Sequence, residues 1–299
     1  MSNPSGHSAI EITIRSADHL REEFASLGEI PTRAESPQRW LFRGHRCANW
    51  QLKPTIVRCA DRNAQDVSKF ETRCFKEFTR RAHGWFSFRP ADDSTAEWLA
   101  WMQHYGAPTR MLDVTESPWV ATFFAIEDLA RPNCAGGEAS NNGGNQLEGS
   151  AAVWAIQSGL VEPKNPDTHR DRNLLLGFLV DRERFKKNGH IDPYAKNFDG
   201  NRVEEMLPHL IHDRIQRQKG RFLFAFDLTK PACAALVEAA SKDNCNPKDR
   251  IRKLLIPWSL RRPLMRELAL MNIDADTLFP GPDGFGRSLR SLTSLDPQP

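Results

Sequence analysis

Short strand-like runs alternate irregularly with helical stretches along this chain, and their order limits the folds that it can adopt. Five runs have the alternation or the β-branched and aromatic content of strands: IEITI at 10–14, RWLFRG at 39–44, AAVWAI at 151–156, RFLFAFDL at 221–228 and IRKLLIP at 251–257. They lack the regular strand–helix–strand rhythm of a doubly wound parallel sheet. We therefore predict an α+β fold without internal repeats.

Helical periodicity accounts for much of the remaining chain. Residues 66–83 carry apolar side chains at three- and four-residue steps, and residues 96–106 form a shorter predicted helix that Gly106 ends. Pro118 suits the first turn of a further helix, PWVATFFAIEDLA, which is apolar on nearly all sides. The stretch between these two helices, QHYGAPTRMLDVTESP at 103–118, is predicted to be an irregular connection.

Three other segments are predicted to contain little strand. Residues 131–150 are rich in Gly, Asn and Ser and have no periodicity, which indicates a flexible insertion. The stretch VEEMLPHLIHDRIQRQKG at 203–220 is expected to be helix or loop. TLFPGPDGFG at 277–286 is expected to be a succession of turns, because its glycines do not precede an apolar helix.

Charge and composition exclude several classes of protein. The 299 residues contain 41 Lys plus Arg and 38 Asp plus Glu, and the resulting net charge of +3 is too small to indicate a nucleic-acid partner. No apolar run approaches the roughly 20 residues of a membrane helix, so we expect no membrane partner. The six cysteines show no CxxC pair and are expected to be free thiols in the cytoplasm. The His and Cys residues lack zinc spacing, and no metal site is predicted.

Two of three polar patches flank predicted strands. Arg43 ends a hydrophobic strand, where its guanidinium is either a fork for phosphate or carboxylate or a structural partner of a buried acid. Gly44 lets the backbone turn or a ligand approach closely. Arg214 and Gln218 precede the strand at 221–228, and the Gln218 amide either binds a ribose hydroxyl or satisfies loop backbone groups.

The remaining patch is the stretch at 103–118. Six of its side chains suit a ligand: His104, Tyr105, Arg110, Asp113, Thr115 and Ser117. The two hydroxyls lie at a predicted helix N-terminus, which attracts anions, but capping of that helix explains them equally well. The arginine either faces a phosphate or pairs with the aspartate across a turn. The two rings either face a ligand or fill the core.

Four segments together closely resemble the FRG-domain family. They are FRG at 42–44, QHYGAPTRMLDVTESPWVATFFA at 103–125, RIQRQKGRFLF at 214–224 and LFPGPDGFG at 278–286. The chain is identified as a single FRG domain over residues 1–299, with the resemblance running from about residue 39 to residue 289. One departure is Val114, where an aromatic residue is more usual.

A more distant resemblance is to ADP-ribosyltransferases, which bind NAD in a split sheet. These enzymes use an Arg or His on an early strand, a Ser/Thr motif before an A-x-x-FA helix, and a Glu or Gln near a late strand. The resemblance implies a split antiparallel or mixed sheet surrounded by helices, with NAD as the substrate. The implied catalytic residues are Arg43, Gln218, Thr115 and Ser117. The implied NAD-binding residues are Arg43, Gly44, His104, Tyr105, Arg110, Thr115 and Ser117.

In this resemblance Arg43 holds the pyrophosphate or the nicotinamide ribose, and Tyr105 stacks on the base. Gln218 stands where the transferases usually have Glu, and a neutral amide stabilises the oxocarbenium-like charge less well. Either the acceptor is unusual, or Asp113 or Glu116 supplies the charge, or the pocket only binds a nucleotide.

The resulting expectation is an NAD-dependent transferase that modifies a protein or a nucleic acid, as a toxin or an antiviral effector. The alternative is a non-catalytic module that binds a nucleotide, RNA or a protein in the same cleft.

Overall fold

A seven-stranded sheet forms the centre of the protein. The computed structural model describes residues 10–29, 39–86, 90, 95–128, 149–161, 203–206, 213–242 and 247–295. The strands are β1 (Ile10–Thr13), β2 (Trp40–His45), β3 (Met111–Thr115), β4 (Ser150–Gln157), β5 (Val203–Met206), β6 (Gly220–Ala225) and β7 (Ile251–Pro257). Their order in the sheet is β1-β7-β4-β2-β3-β6-β5. Only β1 and β7 pair in parallel, so the sheet is mixed and mostly antiparallel, and the predicted α+β class is confirmed.

Eleven α-helices of the described residues surround the sheet. They are α1 (Ala17–Ser26), α2 (Thr55–Arg62), α3 (Val67–Ala82), α4 (Thr95–His104), α5 (Pro118–Ile126), α6 (Asp213–Arg217), α7 (Ala232–Lys242), α8 (Pro247–Arg250), α9 (Arg261–Leu270), α10 (Ala275–Leu278) and α11 (Pro282–Leu295). Among them, none is long and apolar enough to cross a membrane.

Both faces of the sheet are covered, and the central strand shows this most directly. Every residue of β4 is buried, because β4 lies between β7 and β2 and carries helices on either side. On one face Phe42 and Val153 pack in a cluster with apolar residues of α5 and α9. On the other face Leu41 and Trp154 pack in a cluster with residues of α7.

Three predicted irregular segments contain regular structure. Residues 111–115 of the supposed connection form β3, in which Asp113 is exposed and the other four side chains are buried. VEEM at 203–206 is the edge strand β5. The segment that begins at Pro282 is the helix α11, so the prediction of turns at GPDGFG is wrong. The predicted insertion lies outside the described residues, except for Gly149 and Ser150, which precede and begin β4.

The strand was predicted to end at Gly44. In the structure Gly44 lies inside β2, against helix α5. A β-carbon at Gly44 would overlap the carbonyl oxygen of Ala121 and lie 2.8 Å from the backbone nitrogen of Ala125. Only a residue without a side chain lets the helix backbone approach the strand so closely.

The prediction that all six cysteines are free thiols is wrong for Cys47. Cys59, Cys74 and Cys233 are free, whereas Cys47 is disulfide-bonded. Burial raises the pKa of the Cys74 and Cys233 thiols, which makes them poor nucleophiles at neutral pH.

Replacing Gly44 with alanine tests the contact between β2 and α5. The added methyl group meets backbone atoms that cannot rotate away, so we expect the free energy of unfolding to fall by about 2–3 kcal/mol. Gly28→Ala is the matched control, since nothing lies within 4 Å of a β-carbon there, and its effect should stay within about 1 kcal/mol. Urea unfolding of the two variants compares them, and equal effects would contradict this account of Gly44.

Candidate functional site

The sheet opens between β2 and β3, and a cleft of about 320 Å³ lies there. These two strands share a single residue pair, Phe42 with Thr115, whereas β2 and β4 share six. Beyond that pair the cleft is lined by Arg43 and Gly44 of β2 and by Asp113 and Val114 of β3. Its volume is at the lower end of the range for small-molecule sites.

Arg43 bridges the opening between the two strands. Its Nη1 donates a hydrogen bond to the main-chain oxygen of Asp113, which would face a backbone N–H if the strands remained paired. The carboxylate of Asp113 lies 4.0 Å from the same Nη1. Burial lowers the pKa of Arg43, and the charge of Asp113 opposes that effect. The predicted strand-end arginine is therefore a half-buried arginine inside the cleft.

His45 orients Arg43, a role that the sequence did not reveal. The Nε of Arg43 can only donate, so Nε2 of His45, 3.2 Å away, accepts. The ring proton is then on Nδ1, which donates to the main-chain oxygen of Trp50 at 3.3 Å. Burial, together with the nearby charge of Arg43, lowers the pKa of His45 from 6.5 to about 3. His45 is thus a neutral hydrogen-bond acceptor throughout the physiological range.

The hydroxyls of Thr115 and Ser117 are occupied within the fold. Thr115 Oγ1 donates to the main-chain oxygen of Gln218 at 2.6 Å and accepts from the Ser117 N–H at 3.0 Å. Ser117 caps α5 by accepting from the N–H of Val120 at 3.3 Å. Thr115 lines the cleft, and Ser117 is not among the lining residues. Of the two interpretations of these hydroxyls, the geometry matches capping and turn formation.

His104 and Tyr105 lie on different sides of the cleft boundary. His104 is one of the lining residues, and Tyr105 is not. The Tyr105 ring packs against Phe86, with 4.7 Å between ring centroids, and is 49% exposed. The structure thus places Tyr105 in an aromatic surface cluster outside the lining of the cleft.

Arg110 is fully buried and does not reach the cleft. Its Nε donates to Glu71 at 2.7 Å, its Nη2 donates to the same carboxylate, and its Nη1 donates to the main-chain oxygens of Ala225 and Phe226. The predicted pairing with Asp113 is wrong, because two residues three apart near a strand project to opposite faces. Asp113 instead accepts from the amide of Gln103 at 2.7 Å, with 62% of its side chain exposed.

Gln218 and Arg214 form the opposite side of the cleft together with the C-terminal segment. The Gln218 amide nitrogen donates to the main-chain oxygen of Leu278 at 3.0 Å, and the residue lines the cleft. Arg214 lies over the ring of Phe279, with 4.7 Å from its guanidinium carbon to the ring centroid. Periodicity could not identify Phe279 as part of a site, because its segment was predicted to be turns.

A carboxylate and an arginine that the sequence analysis did not select also line the cleft. Glu127, directly after α5, accepts two hydrogen bonds of 2.8 Å from Nη2 of Arg287 in α11. Burial raises the pKa of Glu127, and the charge of Arg287 opposes that effect. The pair neutralises itself, so Arg287 offers little charge to a ligand. Groups of three or more metal-ligating side chains are absent from the part of the chain that the structure describes.

Comparison with known proteins gives one match. Residues 38–134 match the model of the FRG domain family. No curated protein and no solved structure matches the chain. The matched range includes β2, β3 and α5, and the segments at 214–224 and 278–286 lie beyond it. The extension to residue 289 and the resemblance to ADP-ribosyltransferases stay predictions.

Removing the carboxylate of Glu71 or that of Asp113 tests which of the two stabilises the fold. Glu71→Ala leaves the Arg110 guanidinium buried without its counter-charge, and we expect a loss of about 3–5 kcal/mol in the free energy of unfolding. Asp113→Ala removes an exposed carboxylate and should cost less than about 1 kcal/mol. Chemical denaturation measures both, and similar losses would refute the assignment of Arg110 to the core.

The buried His45 predicts a pH dependence of stability. The unfolded chain binds a proton at His45 below about pH 6.5, whereas the folded chain does not until about pH 3. This contribution to stability is therefore present above pH 6.5 and is lost as the pH falls toward 3, by up to about 1.4 kcal/mol per pH unit. Urea unfolding between pH 7 and pH 4 should show a shallower slope for His45→Gln than for the unmodified protein. The exposed His83→Gln variant should keep the steeper slope, and parallel lines for all three would rule out the effect.

Proposed function

We propose that the cleft binds NAD and that this chain is an ADP-ribosyltransferase-like enzyme. One observation carries the proposal: the sheet opens between β2 and β3, and Arg43, Asp113 and Gln218 line that opening together. The reaction would break the bond between the nicotinamide nitrogen and ribose C1′. Nicotinamide leaves with the bonding pair, and an acceptor atom bonds to C1′ and releases its proton.

Arg43 is suited to the negatively charged part of NAD. Its Nε and Nη1 are engaged by His45 and by the Asp113 main chain, which fixes the plane of the guanidinium. Its Nη2 makes no hydrogen bond within the described residues and is available to a phosphate oxygen. A guanidinium whose orientation is fixed before the ligand arrives loses little entropy on binding.

Asp113 is the acid best placed to stabilise positive charge on the ribose. Gln218 has its amide nitrogen engaged by Leu278 and offers only a neutral oxygen. Glu116, the other acid considered, pairs with Arg39 and Arg221 and does not line the cleft. Asp113 lines the cleft with an exposed carboxylate, so it can approach the developing charge.

The second candidate is a nucleotide-binding module without catalysis. The candidate is favoured because three polar groups already form hydrogen bonds with the main chain. These are the hydroxyls of Thr115 and Ser117 and the amide of Gln218. RNA is less favoured as the ligand. Arg80 and Arg81, the most basic part of α3, both pair with Glu77, which lowers their value as phosphate contacts.

Binding and turnover of NAD distinguish the two candidates when measured separately. Arg43→Gln should weaken NAD binding by about 10- to 100-fold through the loss of charged hydrogen bonds. Asp113→Asn should change NAD affinity less than about 3-fold and reduce nicotinamide release by about 100-fold. Calorimetry measures binding, and chromatographic detection of nicotinamide, with lysate or nucleic acid as acceptor, measures turnover.

Asp61→Asn is the matched control, because its carboxylate is 60% exposed and lies 3.8 Å from Lys53, much as Asp113 lies beside Arg43. It should leave both quantities unchanged. NAD binding without nicotinamide release would establish the non-catalytic candidate, and the absence of both would reject the cleft as an NAD site. If transfer occurs, toxicity of the active chain on expression would support a role as a toxin or antiviral effector, with a cytoplasmic acceptor.

A further inference from the structure

Arg214 is a half-buried cation of the cleft that the fold does not neutralise. Its guanidinium makes no hydrogen bond and no ion pair within the described ranges, although the residue lines the cleft. The other arginines of the cleft differ in this respect. Arg221 pairs with Glu116 at 2.8 Å, and Arg287 pairs with Glu127 at 2.8 Å.

The ring of Phe279 holds Arg214 in place without cancelling its charge. Phe279 is buried, and both Arg214 and Arg287 lie over its ring, at 4.7 and 3.8 Å from the centroid. A cation–π contact fixes a guanidinium through its flat face and leaves its N–H edge free for another partner. Burial lowers the pKa of Arg214, and Asp113 opposes that effect. Arg214 is thus partly desolvated and still lacks a counter-ion in contact.

Arg43 and Arg214 reach the cleft from opposite sides of the opening in the sheet. Arg43 is on β2, and Arg214 is on α6, which directly precedes β6, the strand paired with β3. Asp113 is the carboxylate whose charge acts on both guanidiniums. Glu127 also acts on Arg214, but it pairs with Arg287, so two cations and one exposed carboxylate leave this part of the cleft with a net positive charge.

We propose that Arg43 and Arg214 together form a binding site for a diphosphate, in which each guanidinium contacts one phosphoryl group. The inference rests on the proposed function and specifies its ligand as a nucleoside diphosphate or a dinucleotide joined through a diphosphate. A dinucleotide joined through a diphosphate carries one negative charge on each phosphoryl group, and a nucleoside diphosphate carries at least one on each, so each guanidinium meets a charged phosphoryl group. A nucleoside monophosphate engages only one of them.

Nucleotides that differ by one phosphate test the inference. Dissociation constants of ADP, AMP and NAD are measured by calorimetry for the unmodified chain and for Arg214→Gln. The variant should bind ADP and NAD about 10- to 100-fold more weakly and AMP less than about 3-fold more weakly. Arg214→Lys keeps the charge without the fork and should give an intermediate loss, which covers the case of a Gln variant that does not fold.

Arg217→Gln is the control, because Arg217 is on the same helix, is exposed, and donates to the main-chain oxygen of Thr277 outside the cleft. It should bind all three nucleotides within about 2-fold of the unmodified chain. Equal losses of ADP and AMP in Arg214→Gln, or no loss in either, would overturn the diphosphate site. Equal competition by a single-stranded RNA oligomer would also overturn it.

The outcomes separate this inference from the function on which it rests. If Arg214→Gln selectively loses ADP while NAD is never cleaved, the diphosphate site stands and the transferase activity fails. If NAD is cleaved and Arg214→Gln retains full affinity for ADP and NAD, the transferase stands and the role of Arg214 fails.

Discussion

Helix α5 lies directly on β2 because Gly44 has no side chain, and the rest of the cleft depends on this contact. The helix backbone occupies the space that a β-carbon of Gly44 would need. With α5 seated there, its cap at Ser117 lies at the end of β3 and Glu127 at its other end lines the cleft. Beside this contact of α5 with β2, strands β2 and β3 separate, and they pair only at Phe42 and Thr115. The close contact at Gly44 therefore fixes the position of α5, and with it the positions of Ser117 and Glu127.

Two arginines of this chain show that the surroundings of a guanidinium decide whether the fold neutralises its charge. Arg110 has no exposure, and its guanidinium donates to Glu71 and to two main-chain oxygens, so a ligand in the cleft cannot reach it. Arg214 is positioned by an aromatic ring, which holds a cation without neutralising it. An ion pair stabilises the fold by cancelling charge, whereas a cation–π contact preserves the charge for a partner. The residue type is the same, and the difference lies in what surrounds it.

The sequence predicted the elements with strong apolar patterns and missed those that combine polar residues with regular structure. The strands at β1, β4, β6 and β7 and the helices α3 and α5 follow from periodicity, as does the N-cap at Ser117. β3 was missed because it has only five residues and polar neighbours on both sides, so its alternation of apolar and polar side chains is too short to recognise. α11 was missed because Gly284 and Gly286 resemble turn residues. Position 284 of this helix requires glycine, because a β-carbon there would lie 2.8 Å from the carbonyl carbon of Phe279.

Of the candidate site, local spacing revealed Arg43, Asp113 and Gln218 but could not reveal partners that are distant in sequence. Glu71 and Arg110 are 39 positions apart, so no local pattern joins them, and the nearer acid was the natural but incorrect choice. The sequence did not indicate a role for His45, because that role is to accept a hydrogen bond from Arg43. Only the folded geometry shows which ring nitrogen faces the guanidinium.

The site is assembled from two parts of the chain that make different contributions. The range that matches the FRG family supplies the opening of the sheet, with Arg43, Asp113 and Glu127. The opposite wall, with Arg214 and Phe279, comes from residues far beyond that range. In the proposed function the first part supplies the opening that a ligand would enter and the carboxylate that it would meet. In the proposed diphosphate site the second part supplies the additional positive charge, so the proposed preference for two phosphates over one depends on residues outside the matched range.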